Sequence, residues 1–210
     1  MRKVYLRITI FFMTGCLLLA AATIDKNREI EVQADVAQEV LRFHVRANSE
    51  KETDQAVKME VKEAVISYLQ PILSQTDSVE KTREVLAAHL TDIKQAAETV
   101  LKNNHCSYGA TVFLRKESFP EKTYGDCTFP AGIYEAVVIE LGNGQGHNWW
   151  CMLYPGLCFV DETYGIVTEE KKEELKQVLT EDSYEWITEP QNRKITFRWE
   201  WLRKVLEFPI

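Results

Sequence analysis

Cys106, Cys127, Cys151 and Cys158, with His44, His89, His105 and His147, are the side chains that could carry nucleophilic, acid–base or metal chemistry in this 210-residue chain. A cysteine nucleophile needs a depressed thiol pKa and a histidine beside it, here His147 or His44 against Cys127 or Cys151. Zinc needs closely spaced ligand pairs; His147, Cys151 and Cys158 lack that spacing and a fourth ligand. No G-x-S-x-G, H-E-x-x-H or D-x-D-G-x₅-E pattern occurs. Of the 32 acidic residues, none stands in the apolar setting that would mark a raised-pKa acid. The expectation is a protein without catalytic residues, metal or cofactor.

The first 24 residues decide the compartment. Arg2, Lys3 and Arg7 precede an uncharged run, Ile8 to Ile24, which has the n-region and h-region of an export signal. Ala20-Ala21-Ala22 offers small residues for a signal peptidase. The run also has the length of a bilayer span, so that it would remain as an N-terminal anchor. Met13-Thr14-Gly15-Cys16 has the outline of a lipidation site at Cys16. All three readings place residues 25–210 outside the cytoplasm.

Four cysteines in an exported body read first as disulfides. Leu153-Tyr154-Pro155-Gly156 would set Cys151 and Cys158 opposite each other across a hairpin, at bridging distance. Closing so short a ring stabilises by about 2.5 kcal/mol in the chain-entropy view. Cys106 and Cys127 form a second pair or remain buried thiols.

The chain holds 25 basic and 32 acidic residues. Since the first 24 residues carry three of the basic ones and no acid, the body is strongly acidic. Without a basic stripe it repels phosphate backbones, which excludes nucleic acid as a partner.

The elements that must position these residues form an α+β domain. Residues 25–40 are polar and weakly patterned and read as a stalk. Leu41, Phe43 and Val45 alternate with Arg42, His44 and Arg46, a half-buried strand whose outward face carries His44. Ser49 and Glu52 have capping-box spacing, and Thr53-Asp54 offers another start to the same helix. Val57, Val61, Val65 and Leu69 make its apolar stripe, which Pro71 limits or kinks. Asp77 and Glu80 open a second, antiparallel helix that ends at Asn103-Asn104, with His89 on its surface and His105 in the loop beyond. Ala110–Leu114, Ile133–Leu141 and Trp149–Leu153 are strands of an antiparallel sheet packed on the helices. Gly142–Gly146 precedes a strand and lacks the helix and Lys-Ser/Thr of a phosphate loop, so it reads as a mobile hairpin connection. A charged helix follows at 169–179, and residues 195–208 suit a strand or a helix. The domain is 41–161, with 162–210 as a C-terminal addition.

Two features look like contact surface. Trp149 and Trp150 point to opposite sheet faces, so both are buried only if both faces are covered; an exposed one is a natural partner anchor. Turn formers around Cys127 give a stiff loop that presents Asp126.

Four segments carry a family resemblance: LRFHVRANS at 41–49, DQAVKMEVKEAV at 54–65, TYGDCTFPAG at 123–132 and GHNWWCMLYPGLCFVD at 146–161. Together they resemble the stage II sporulation protein R family of endospore-forming bacteria. The resemblance implies a signalling protein made in the forespore and exported into the space between forespore and mother cell. There it would activate a membrane-embedded aspartic protease that processes the precursor of sigma factor E. Partner contact is expected from His44, Arg46, Asn48, Asp126, Trp149, Trp150 and Asp161. The rival reading is an exported cell-wall or peptide hydrolase with His44 or His147 as its base.

Overall fold

The computed structural model describes residues 2–159 and 167–189; at 2–4, 6, 8, 20–22, 24, 25 and 159 it describes the backbone alone. Asp161 and the 195–208 segment lie outside the described residues. Among those described, no helix is long and apolar enough to cross a membrane.

Helix α1 spans Arg2–Glu39 and strand β1 spans Leu41–Arg46. Helices α2 (Glu52–Leu73), α3 (Val79–Ala88) and α4 (Leu90–Asn103) follow, then β2 (Ala110–Phe119), β3 (Lys122–Tyr124), β4 (Cys127–Phe129), β5 (Gly132–Leu141) and β6 (Asn148–Tyr154). A 3₁₀ turn at Leu157–Phe159 comes before α5 (Glu169–Val178) and α6 (Glu181–Thr188). The fold is α+β, as expected, but the sheet is mixed. Its order is β2-β5-β1-β6, with β1 parallel to β5 and the other neighbours antiparallel. The first strand is therefore central.

A strand in that position is packed on both faces. Leu41, Phe43 and Val45 meet α2–α4 in a first core with Val61, Leu69, Leu86, Ile93 and Leu101. Arg42 and His44 turn the other way, where Phe119, Phe129, Tyr134, Val138, Met152 and Ile187 form a second core. Helices α2 and α4 run antiparallel: Tyr68 meets His89 at one end, and Asn104 meets Glu60 at the other.

The stalk reading fails for residues 32–40. Val32 and Val36, one turn apart on α1, and Val40 just beyond its end are buried in the second core. Gln33 donates to the Ile133 carbonyl, and Thr180 donates to Asp35. The polar residues between the valines hid this stripe.

Three local expectations also change. The cap of α2 is Lys51 with no side-chain hydrogen bond, because the Ser49 hydroxyl is committed to Asp54. The second helix breaks at His89, and its start is capped by Ser78, which accepts from the Lys81 N–H. Residues 142–147 are no hairpin, since β5 and β6 flank β1 on opposite sides. The loop instead crosses the end of β1, tied by Gly146 N–H to the Ala47 carbonyl at 2.9 Å.

Cys151 and Cys158 form the expected disulfide with Cα atoms 5.7 Å apart, though not across a hairpin. The 3₁₀ turn folds Cys158 back beside β6. Cys106 packs on the first core and Cys127 lies in the second, so the sheet separates them and both are free thiols.

Val36→Ala tests the role of α1. Loss of a fully buried side chain should destabilise the domain by about 2 kcal/mol in denaturant unfolding, where a stalk substitution would leave stability unchanged.

Candidate functional site

Odd positions of β2 and even positions of β1, β5 and β6 share the second face of the sheet. Its lower half is roofed by α1, the β3–β4 hairpin and α6. Toward the C-terminal end of β1 the face opens. Arg46 reaches Glu117 and Glu140 at 3.0 Å each, and Arg115 reaches the same two carboxylates at 2.9 and 2.7 Å. The four charges close a neutral square whose side chains are 17–36% exposed. Phe113 lies under the Arg115 guanidinium at 4.5 Å, and Trp150 borders the square on the β6 side, half-buried.

Below Trp150 lies His44. Their rings stack at 3.7 Å, and Phe119 meets Trp150 edge-on at 4.7 Å. His44 is 0% exposed, which corrects its expected outward position. The alternation in β1 assigned its polar side to solvent, but a second layer covers that side too. A buried imidazole so far from water is no general base, so the hydrolase reading loses His44.

Two positions further down, Arg42 is also 0% exposed. Its guanidinium stands 4.5 Å from the Phe119 ring and 4.9 Å from Tyr134, with Tyr124 and Phe129 beyond. Nε donates to the Cys151 carbonyl at 3.2 Å and Nη2 to the Tyr124 hydroxyl at 3.1 Å. Cation–π attraction offsets part of the cost of burying this charge.

The apex above the open face is a second polar cluster, and it is closed. Asp54 accepts from the Ser49 hydroxyl at 2.5 Å, the Tyr108 hydroxyl at 2.6 Å and the Asn48 amide at 2.9 Å. Those hydroxyls hold its carboxyl below the ordinary range, while burial and Asp54 push the Tyr108 phenol upward. Asn48 Oδ1 accepts the Asn143 N–H at 3.0 Å. At Gly142, with φ +56°, a Cβ would come within 2.3 Å of Asn48 Oδ1, and at Gly146 within 2.2 Å of the Ser49 carbonyl oxygen. The glycine loop is thus packed in place, and Asn48 staples it to α2. His147 stands outside, exposed and paired with Glu50 at 2.5 Å.

Of the residues expected to contact a partner, Arg46 and Trp150 share the open face and His44 lies beneath them. Trp149 lies on the opposite face, edge-on to Phe43 at 5.6 Å and under the Lys62 ammonium at 5.1 Å. Asp126 is elsewhere: it pairs with Lys172 at 2.6 Å, binding the hairpin to α5, and despite burial that contact holds its carboxyl low. Burial pushes the Cys127 thiol up to about 12, and Cys151 is in the disulfide, so neither is an activated nucleophile. Among the described residues, no group of three or more His, Cys, Asp or Glu could hold a metal. Arg42, Asp54 and Tyr108 were missed. Arg42 left one trace, the apolar run Ala136–Ile139 in β5, which signals a sheet covered on both faces.

The family model for stage II sporulation protein R matches residues 37–164. The chain belongs to the stage II sporulation protein R family. Stage II sporulation protein R of Bacillus subtilis (strain 168) is 34% identical over 189 residues, covering 89% of this chain and 84% of the relative. No solved structure matches the chain. A role in sporulation follows, and the family match includes the central strand, the apex and the open face.

Burial lowers the His44 imidazole from 6.5 to about 4, with Arg46 adding to the effect and Asn148, Glu117 and Glu140 opposing it. Between those values the unfolded chain binds a proton that the folded chain refuses. This stability is present above pH 6.5 and lost as pH falls toward 4, about 3 kcal/mol in all. Denaturant unfolding at pH 7 and pH 5 should show a wild-type loss on acidification that His44→Phe lacks.

Proposed function

We propose that this sporulation protein is an exported ligand, without catalysis of its own, that docks through the open half of the second sheet face. Its partner is a membrane-embedded aspartic protease, which docking shifts to the state that processes the precursor of sigma factor E. Activation of this kind requires tighter binding to the active form than to the inactive one.

The observation that carries the reading is the open face itself. Trp150, Phe113 and the Arg46–Glu117–Arg115–Glu140 square are partly exposed together on the half of the second face that α1, α6 and the β3–β4 hairpin leave uncovered. A half-buried Trp beside ion-paired arginines is the composition of an interface anchor. The rigid apex supports it, because a fixed face loses little entropy on docking. The basic residues and apolar run at the N-terminus support export, and the acidic body favours a protein partner over nucleic acid.

Co-expression with the protease and the sigma precursor in a non-sporulating host, followed by immunoblot, tests this. Cleavage is expected only when the chain keeps its export signal. Trp150→Ala, exported at wild-type level, should weaken docking by about 2 kcal/mol or more, roughly thirtyfold, and abolish processing at native expression. Full processing by that variant removes Trp150 from the interface.

A further inference from the structure

Among the described residues, the buried side-chain nitrogens without a hydrogen-bond partner are Arg42 Nη1, His44 Nδ1 and His44 Nε2. They belong to two side chains on one face of β1, about 7 Å apart at their Cα atoms. Buried polar groups are almost always paired, and each one left unpaired costs about 1–3 kcal/mol. Both side chains lie against the Phe119 ring beneath the open face, which makes them candidates for one shared ligand.

Rings fill the space around them. The Phe119 centroid lies 4.5 Å from the Arg42 guanidinium and 5.8 Å from the His44 ring, and Trp150 covers the imidazole. Arg42 has spent Nε and Nη2 on Cys151 and Tyr124, so Nη1 remains to donate. The nearby carboxylates, Glu117 and Glu140, are held by Arg46 and Arg115. A ligand must therefore bring two acceptor atoms and a negative charge. A carboxylate does both, one oxygen accepting from Nη1 and the other from an imidazole N–H. A hydroxyl would leave the charge unanswered, and an ammonium would be repelled.

We propose that Arg42 and His44 form a covered receptor for the carboxylate of an acidic side chain on the docked partner, with Trp150 and Phe119 as the cover. This rests on the docking reading above, since the cover belongs to the face where the partner lands. Trp150 is half-exposed and is the movable part of the cover, whereas Phe119 is buried at the end of β2 opposite Gly132, over which the Gln33 side chain packs. When the Trp150 ring turns outward the carboxylate enters, and Arg42 Nη1 and the imidazole N–H are paired only while it is bound.

The test has two arms. In the first, the full chain in detergent, labelled with ¹³C-histidine, is titrated with N-acetyl-glutamate and, as a neutral control, N-acetyl-glutamine. A saturable shift of the His44 Cε1 resonance with the acid alone is expected; a flat titration overturns the site. In the second, His44→Phe is run in the processing assay. It should melt about 2–4 °C higher than wild type, having lost its unpaired nitrogens, yet process the precursor about ten- to a hundredfold less. His44→Gln, which keeps a donor and an acceptor, should process more than His44→Phe. Wild-type processing by the stabilised His44→Phe variant overturns the proposal. A positive titration with no cleavage by wild type keeps the carboxylate site and removes the protease reading; cleavage with a flat titration does the reverse.

Discussion

A strand with hydrogen-bonded neighbours on both edges and packed layers on both faces has no side left for solvent. Leu41–Val45 is in that position, between β5 and β6 and between two cores. Everything else is arranged around what those five residues require. Leu41, Phe43 and Val45 need an apolar layer, which α2–α4 supply. Arg42 needs acceptors and π-faces, and the hairpin β3–β4 is drawn in to provide Tyr124 and Phe129. The disulfide works to the same end, because it anchors Cys151, whose carbonyl takes the Arg42 Nε–H.

The two polar clusters differ in a way that matters for their roles. At the apex, Asp54 collects three donors and Asn48 closes the loop, so every group is satisfied within the domain. Such a network rigidifies. Under Trp150 the opposite holds: the buried His44 nitrogens lack a well-formed hydrogen bond, with only the Asn148 side chain near enough to favour the charged ring, while a neutral square of charges is left half in solvent. A satisfied cluster builds a scaffold, and an unsatisfied one leaves free energy in reserve.

Much of the architecture is legible in the residues. Alternation in Leu41–Arg46, the stripe Val57–Leu69 and the apolar run of β5 give the elements and the α+β class, because period and burial are tied by geometry. The Cys151–Cys158 pair is legible from spacing, although the reason lies in a 3₁₀ turn and not in a hairpin. What alternation cannot show is how many layers a sheet carries. His44 and Arg42 read as solvent-facing because a one-sided sheet is the usual meaning of that pattern. The second layer comes from α1, α5 and α6, whose anchors are few and dispersed: Val32, Val36 and Val40, Leu175, then Trp186 and Ile187. Asp54 and Tyr108 sit 54 positions apart and meet only after the fold closes, so no local signal joins them.

Helix α1 runs unbroken from Arg2 to Glu39, and its last turns are part of the core. The N-terminal segment thus joins the core through continuous helical backbone. A helix turns by about 100° and rises by 1.5 Å per residue. Each residue added between Ile24 and Arg28 would swing the body around the helix axis by more than a quarter turn while scarcely lifting it. The count of residues in that segment sets the azimuth of the open face relative to the first turns of α1.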